Sequence, residues 1–153
     1  MFTLIKTSLD ILLPKTCFFC HKLGRDLCED CECKRFKPFK RRFCHVCHGI
    51  LRLPGRYIHR LCIPRTNLDG VFSSYILNDH LKRYIKSIKY SLHISMLTDL
   101  YPYLDIDIPI NYDIVSFVPL HKRRQNYRGF NQAELLSKLI DPNSINLLER
   151  IKD

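Results

Sequence analysis

The sequence predicts an α/β protein in which an N-terminal zinc-ribbon module precedes an incomplete α/β domain. All eight cysteines of the 153-residue chain lie between Cys17 and Cys62. The residues after them alternate helical and strand-like apolar patterns. We therefore predict an N-terminal helix and double zinc ribbon over residues 1–66, and an α/β domain over residues 67–153.

Composition and charge exclude two broad classes of protein. Hydrophobic residues make up 46% of the chain, which excludes wholesale disorder. No apolar run reaches the ~18 residues of a transmembrane helix, so we expect no membrane span. The formal charge of +10 is uneven, because residues 1–66 carry 14 basic and 5 acidic side chains, a net of +9, and residues 67–153 carry 11 and 10, a net of +1. The cysteine-rich half is therefore also the basic half.

The N-terminus does not have the pattern of an export signal. Residues 1–13 place apolar side chains at helical spacing and predict a short amphipathic helix that ends before Pro14. A secretory signal would instead show a continuous apolar stretch and a small-residue cleavage site. We therefore expect a cytoplasmic, reducing location, where cysteine pairs bind metal rather than form disulfides.

The cysteines form pairs separated by two residues, so that one tight turn can aim two side chains at one ion. Four such pairs supply two tetrahedral sites for structural zinc, and Cys33 is left over as a bystander thiol. The predicted ligands are Cys17, Cys20, Cys28, Cys31, Cys44, Cys47, His59 and Cys62. Sequential pairing joins the first four and the last four, and a crossed pairing stays open.

Two other interpretations of these cysteines have less support. Residues 17–21 and 44–48 both match C-x-x-C-H, the attachment pattern of c-type haem. Haem attachment requires export, and it leaves the pairs Cys28/Cys31 and His59/Cys62 unexplained. A thioredoxin-like redox pair needs a βαβ context that this loop-like stretch lacks. Structural zinc is therefore the favoured interpretation.

The second half begins with an extended segment and two helices. Leu68–Tyr75 predicts a strand or an extended lead-in, after which Asn78 or Asp79 can cap a helix. The apolar residues at helical spacing predict its buried side as Leu81, Tyr84, Ile85 and Ile88. A second helical stretch, which ends near Pro102, carries Met96, Leu97, Leu100 and Tyr101.

The remaining residues predict a strand, a loop, a helix and the start of another strand. Tyr112–Val118 is mostly apolar and rich in β-formers, which predicts a buried strand. Residues 119–130 are predicted to form a basic loop, after which Asn131 caps a helix. Ile145–Leu148 is predicted to begin a further strand.

The first basic segment, Lys34–Arg42, interleaves cations with phenylalanines. Cations can contact phosphates while rings stack on unpaired bases, as in proteins that bind single-stranded nucleic acid. The predicted contact residues are Lys34, Arg35, Phe36, Lys37, Phe39, Lys40, Arg41 and Arg42. The alternative is a solvated connector whose rings pack on the zinc ribbons.

The second basic segment follows the predicted buried strand and precedes a helix, the position where α/β proteins bind anions. Arginine offers bidentate geometry for phosphate, and Gly129 permits a close backbone approach. The predicted phosphate ligands in the basic loop of residues 119–130 are His121, Lys122, Arg123, Arg124 and Arg128.

Three features together resemble the ComF family of competence-associated proteins. They are the double zinc ribbon, the segment Leu81–Tyr90 and the segment Val118–Leu136, whose most specific part is RGFNQ at Arg128–Gln132. The resemblance implies a type I phosphoribosyltransferase fold and a role in handling single-stranded DNA during natural transformation. It also implies that Pro119–Arg124 lies beside the pyrophosphate of phosphoribosyl pyrophosphate (PRPP), bound with Mg²⁺, and that Arg128, Asn131 and Gln132 line or support the same cleft.

The chain departs from this family in one respect. The family holds the ribose 5-phosphate with a later strand–loop–helix that carries adjacent acids and a Thr-Thr-Gly-type turn, and no such segment follows here. We therefore expect the front part of such a protein, with an incomplete phosphoribosyltransferase-like domain and no independent catalysis. The alternatives are a non-enzymatic, zinc-stabilised module that binds single-stranded nucleic acid, and a nonfunctional remnant that folds only at its zinc end.

Overall fold

A computed structural model of the chain describes residues 14–39, 42–52, 57–90, 93–105 and 112–151. Its helices are α1 (Glu29–Arg35), α2 (Asp79–Tyr90), α3 (Ile94–Leu100), α4 (Lys122–Arg128) and α5 (Gln132–Ile140), with 3-10 helices at Arg60–Arg65 and Tyr101–Tyr103. Strands β1 (Lys37–Pro38) and β2 (Tyr75–Ile76) pair antiparallel. The described residues are thus mixed α/β, as predicted at this coarse level, and they do not show a phosphoribosyltransferase-like domain. The predicted helix of residues 1–13 lies outside them.

Helix α1 connects the cysteine-rich turns to the rest of the molecule, and the apolar periodicity of the sequence did not predict it. Its first turn is acidic and its last turn carries Lys34 and Arg35. This charge order complements the helix macrodipole, which favours anions at the N-terminus and cations at the C-terminus. Charge order was therefore the local signal for this helix.

Helices α2 and α3 form where the sequence predicts them. The side-chain oxygen of Asn78 accepts a hydrogen bond from the backbone N–H of Leu81 at 2.9 Å, so Asn78 caps α2. The side-chain amide of Asn78 also donates to the carbonyl of Arg35 at 2.7 Å, which ties the start of α2 to the end of α1. Helix α3 ends in the 3-10 turn that contains Pro102, as the position of this proline predicts.

One hydrophobic core joins the cysteine-rich half to the helical half. Its buried members come from both predicted domains: Cys17, Leu27, Cys31, Phe36, Leu81, Tyr84, Ile88, Met96, Leu97, Leu100 and Phe130. Residues on α1 and its preceding turn therefore share buried surface with α2, α3 and the start of α5. At about 25 cal/mol per Å² of apolar surface, this shared burial couples the folding of the two halves.

Tyr84 is the centre of this core. Its ring is fully buried and lies 5.6 Å from that of Phe18, 6.0 Å from that of Phe19 and 5.7 Å from that of Phe36, between ring centroids. Its hydroxyl donates to the carbonyl of Met96 at 2.9 Å. Edge-to-face and stacked contacts of this kind add about 0.5–1.5 kcal/mol per pair beyond area burial.

The prediction of a buried strand at Tyr112–Val118 is wrong. Tyr112, Ile114 and Val118 are each more than half exposed, and the segment pairs only through one parallel bridge between Ser116 and Ile145. A strand becomes buried when neighbouring strands and helices cover it on both sides. Among the described residues this segment has one extended neighbour, so its apolar side chains remain at the surface.

The prediction of a basic loop over residues 119–130 is also wrong, because α4 occupies most of it. The ring Nδ1 of His121 accepts a hydrogen bond from the backbone N–H of Arg123 at 3.4 Å and caps this helix, which Gly129 ends with a left-handed φ of 70°. Arginine, lysine and glutamine are good helix formers, so the basic residues favour the helix. Asn131 caps α5 as predicted.

Among the described residues, no helix is long and apolar enough to cross a membrane.

The core predicts that two leucines four residues apart contribute very differently to the free energy of unfolding. Leu27 is 0% exposed and Leu23 is 67% exposed, so Leu27→Ala should lower the free energy of unfolding by about 2–5 kcal/mol. The matched control, Leu23→Ala, should change it by less than about 0.5 kcal/mol. Urea unfolding of the zinc-loaded chain, followed by circular dichroism, measures both. Equal effects of the two substitutions would show that Leu27 is not a core residue.

Candidate metal centres and basic segments

The eight predicted ligands form two groups in the sequential order. Centre 1 consists of Cys17, Cys20, Cys28 and Cys31, and centre 2 consists of Cys44, Cys47, His59 and Cys62. Within each centre the candidate ligand atoms all lie within 4.8 Å of one another. A tetrahedral zinc ion with bonds of ~2.3 Å to sulfur separates its ligand atoms by ~3.8 Å. Each centre is therefore compatible with one zinc ion.

The first turns of the two centres have the same backbone structure. In centre 1, the N–H of Cys17 donates to the carbonyl of Lys22 at 2.8 Å, and in centre 2 the N–H of Cys44 donates to that of Gly49 at 3.0 Å. Each turn is closed by an antiparallel bridge, between residues 16 and 23 and between residues 43 and 50. Besides the paired cysteines, this repeat has a second signal in the sequence that did not enter the predictions, an aliphatic residue three positions after the second cysteine, Leu23 and Ile50.

This turn explains the two C-x-x-C-H matches. His21 and His48 follow the cysteine pairs and have positive φ values of 59° and 57°. Histidine is enriched among the non-glycine residues that adopt this left-handed region. The turn accounts for both histidines without haem, and the thiols before them converge on the second pair of their own centre.

His59 is oriented toward the thiols of centre 2. Its Nδ1 lies 3.1 Å from the sulfur of Cys47, and its Nε2 donates to the carbonyl of Ile50 at 3.2 Å. A zinc-binding histidine usually donates its other ring N–H to a backbone carbonyl, which fixes the ring orientation. Gly49 makes room for this ring, because a Cβ there would lie 3.0 Å from the Cε1 of His59. The donor set of centre 2 thus fits zinc.

Backbone amides favour the thiolate form of the first cysteine in each centre. Burial raises the pKa of the Cys17 thiol, but backbone N–H groups, that of Cys28 foremost, lower it to about 6. Burial likewise opposes ionisation of Cys44, and backbone N–H groups, that of His59 foremost, lower its pKa to about 6. The thiolate is the form that binds metal, so these amides prepare the first ligand of each centre.

The last cysteine of each centre has the opposite shift. Burial, with the neighbouring Cys20, raises the pKa of Cys31 to about 12. Burial, with the neighbouring Cys47, raises the pKa of Cys62 to about 11. Sulfur atoms this close repel one another as thiolates, and a divalent cation removes this repulsion. The chemistry of both donor sets therefore fits a bound zinc ion.

The two centres differ in their surroundings. Cys17 and Cys31 of centre 1 belong to the hydrophobic core. Centre 2 lies outside that core cluster and is surrounded by local contacts, such as the pair formed by the rings of Phe39 and Phe43 at 5.5 Å. We therefore expect metal at centre 1 to support the whole fold and metal at centre 2 to support its own loops. Cys33 is exposed and belongs to neither centre, as predicted.

The first basic segment does not present its rings to solvent. Phe36 is 2% exposed and packs against Tyr84, so it cannot stack on a base as predicted. Phe39 is half-buried, and the guanidinium of Arg35 lies 4.9 Å from the ring centroid of Phe19. Lys40 and Arg41 lie outside the described residues. The rings pack beside the cysteine turns, as the connector interpretation predicts.

The second basic segment places its predicted ligands in different environments. Asn131 is buried, where its side chain accepts from the N–H of Ala133 at 3.0 Å and donates to the carbonyl of Val118 at 3.1 Å. The guanidinium of Arg128 lies 5.6 Å from the ring centroid of Tyr90. Asn131 and Arg128 therefore have structural contacts, and Asn131 fits the supporting role better than direct phosphate contact.

The other predicted ligands of this segment differ in exposure, and one of them lines a cleft. Lys122, Arg123 and Arg124 are exposed on α4, and the side-chain nitrogen of Gln132 is buried without a hydrogen-bond partner among the described residues. Lys122 lines an open cleft of about 520 Å³ together with residues 119–120 and 146–150. Of the seven predicted ligands, Lys122 is thus the one that lines this cleft.

Comparisons with known proteins were made for the whole chain, and no family model, no curated protein and no solved structure matches it.

The surroundings of the two centres predict different consequences of metal loss. The zinc-loaded chain should contain two zinc ions, and Cys17→Ser and Cys44→Ser should each remove one. Cys17→Ser should also abolish the protection of α2 amides against hydrogen exchange, whereas Cys44→Ser should preserve it. Atomic emission and hydrogen-exchange mass spectrometry measure both quantities. Cys33→Ser is the matched control and should change neither. Loss of α2 protection in both ligand variants would contradict this assignment.

Proposed function

We propose that this chain is a ComF-like protein of the phosphoribosyltransferase family, associated with DNA uptake in natural transformation, and that its α/β segment binds PRPP with Mg²⁺. In this proposal, zinc at the two centres is structural and holds the loop-rich half in shape. The protein works in the cytoplasm, where thiols stay reduced, beside the competence machinery. The resemblance of Val118–Leu136 to that family is the starting point of the proposal.

One observation supports phosphate binding in this segment. Ser116 pairs with Ile145 through a single parallel bridge, and α4 and α5 lie between them in the chain. This bridge has the direction of the strands in a β–α–β unit, where ligands bind beyond the carboxyl ends of the strands. The residues that line the 520 Å³ cleft come shortly after the paired residues and include Lys122 and Arg150, against one acid, Glu149. A cleft of this charge suits pyrophosphate.

The proposal concerns the binding of PRPP to this segment. In the family, a Thr-Gly turn after an acidic pair holds the ribose 5-phosphate, whereas the basic segment lies beside the pyrophosphate. Transfer of a phosphoribosyl group requires orientation of the ribose as well as stabilisation of the departing pyrophosphate. We therefore expect the pyrophosphate group to contribute most of the affinity at Lys122 and its neighbours.

Lys122 provides the test of this proposal. Lys122→Glu should weaken binding of Mg²⁺–PRPP, and of Mg²⁺–pyrophosphate alone, by about tenfold or more, because it reverses one charge in the cleft. Isothermal titration calorimetry with the zinc-loaded chain measures both affinities. The matched control, Lys86→Glu on the exposed side of α2, should leave them unchanged. Equal weakening by both variants, or no binding to the unmodified chain, would overturn the proposal.

A second candidate function is binding of single-stranded nucleic acid through phosphate contacts. Lys34, Lys37 and Arg42 are exposed near the metal centres, which favours it, while the burial of Phe36 removes one of the two predicted stacking rings. Affinity would then come from cations and depend steeply on salt.

The salt dependence of binding to poly(dT) tests this second function. Replacing Lys34, Lys37 and Arg42 together with alanine should reduce the slope of log K against log[salt] by about 0.7 per lost contact, roughly 2 in total. The matched control replaces the exposed Lys82, Lys86 and Lys89 of α2 and should leave the slope unchanged. Fluorescence anisotropy, with PRPP as a competitor that should have no effect, measures this. A slope unchanged in the first variant would exclude these residues as the site.

A further inference from the structure

An exposed aliphatic tip lies beside centre 2, and neither proposed function uses it. The tip is the 3-10 helix Arg60–Arg65, in which Leu61 is 87% exposed and Ile63 is 56% exposed. Between them, Cys62 turns inward and belongs to the ligand group of centre 2. The two apolar side chains therefore flank a metal ligand and face solvent.

An open cleft next to this tip has both apolar and polar walls. Its volume is about 400 Å³, and it is lined by the apolar side chains of Tyr57, Ile58, Ile63 and Leu68 and by the polar side chains of Arg60, Thr66 and Asp69. Leu68 is itself 57% exposed. The surface therefore combines a protruding leucine with an adjacent hollow that can receive a side chain.

The backbone around the tip is held by several interactions, which reduces the entropy that binding would cost. The N–H of Cys62 donates to the carbonyl of His59 at 2.8 Å. The hydroxyl of Thr66 accepts from the N–H of Leu68 at 3.1 Å and lies 3.0 Å from the Nε2 of His45. A metal ion at centre 2 would fix Cys62 as well. A partner can therefore bury the exposed Leu61 and Ile63 at a low entropic cost.

The stretch of sequence that contains the tip carries a positive charge, and arginine supplies it. Residues 42–69 contain five arginines, no lysine and one acid, Asp69, a formal charge of +4. A centre of three thiolates, one neutral imidazole and Zn²⁺ would lower this by one. Arginine is enriched in protein interfaces and binds carboxylates in a bidentate geometry. The flanking charge is therefore complementary to acidic side chains.

We propose that the tip and its cleft bind an acidic segment of another protein, which inserts an apolar side chain into the cleft while its carboxylates pair with the flanking arginines. A second copy of this chain would bring a like-charged surface to the same place. A membrane surface could accommodate Leu61 but has no single side chain to fill the cleft. Nucleic acid stacks its bases on exposed aromatic rings, whereas Leu61, Ile63 and Leu68 are aliphatic and the ring of Tyr57 already packs on that of Phe72 at 4.8 Å between centroids.

A peptide selection on the full, zinc-loaded chain tests this inference. A phage library of random dodecapeptides is selected on the unmodified chain and counter-selected on the Leu61→Ser chain. The enriched peptides should share an apolar residue flanked by Asp or Glu. The synthetic form of one of them should bind about tenfold or more weakly to Leu61→Ser and to Arg65→Glu, measured by fluorescence anisotropy.

A control variant and an alternative variant separate loss of peptide binding from loss of zinc. Leu23→Ser replaces another exposed leucine, 67% exposed at the turn of centre 1, and this variant should bind the peptide as the unmodified chain does. The zinc content of each variant must remain at two ions per chain. Should Leu61→Ser lose zinc, Leu68→Ser tests the cleft wall without a neighbouring ligand, and it should weaken the peptide by a similar factor.

Three results would overturn the inference. The first is a selection without an acidic and apolar consensus, or peptides that bind Leu61→Ser as well as the unmodified chain. The second is a Leu61→Ser chain that loses binding to anionic phosphatidylglycerol vesicles, or to poly(dT), more than it loses binding to the peptide. The third is a concentration-dependent dimer that Leu61→Ser abolishes.

Discussion

The packing of Tyr84 against the cysteine-rich turn is the interaction on which the rest of the structure depends. Phe18 and Phe19 lie between two ligands of centre 1, so the same short stretch of chain supplies metal ligands and core rings. The hydroxyl of Tyr84 adds a hydrogen bond to the carbonyl of Met96 on α3. Metal binding and hydrophobic burial are therefore coupled. Unfolding of the cysteine-rich turn would expose the apolar side of the helices, and unfolding of the helices would expose the rings of the turn.

The two metal centres show how one local structure can serve two purposes. Their first turns share the same hydrogen bonds and the same left-handed histidine. Centre 1 packs into the core, while centre 2 lies outside the core cluster and displays aliphatic side chains on either side of Cys62. The tip at Arg60–Arg65 is accordingly held by backbone hydrogen bonds and exposed to solvent, a combination that suits the proposed recognition of another protein.

The basic residues differ in whether their charged group lies over an aromatic ring. Arg35 and Arg128 are half-buried over aromatic rings, where cation–π contact and packing of the alkyl chain give them structural roles. Arg42 also lies over a ring, that of Tyr57, but remains exposed. Lys122 lies over no ring of the described residues and lines the cleft beside the bridge between Ser116 and Ile145. A charge count cannot make this distinction, since it treats every cation as equally available to a ligand. The proposed PRPP and nucleic-acid sites are therefore narrower than the basic segments in which they lie.

The sequence by itself determined features that depend on spacing over a few residues. These are the paired ligands, the Asn78 and Asn131 caps and the buried face of α2, since one turn of backbone sets their geometry. The tertiary structure alone decided the sequential grouping of the ligands, the burial of Phe36 and the exposure of the segment at 112–118. Each of these depends on which distant element packs against the residue, and an apolar run looks the same whether or not a partner covers it. Helix α4 lies between these two groups of features. Its residue types favour a helix, but their dense positive charge is also typical of a loop, so the sequence alone did not decide between the two.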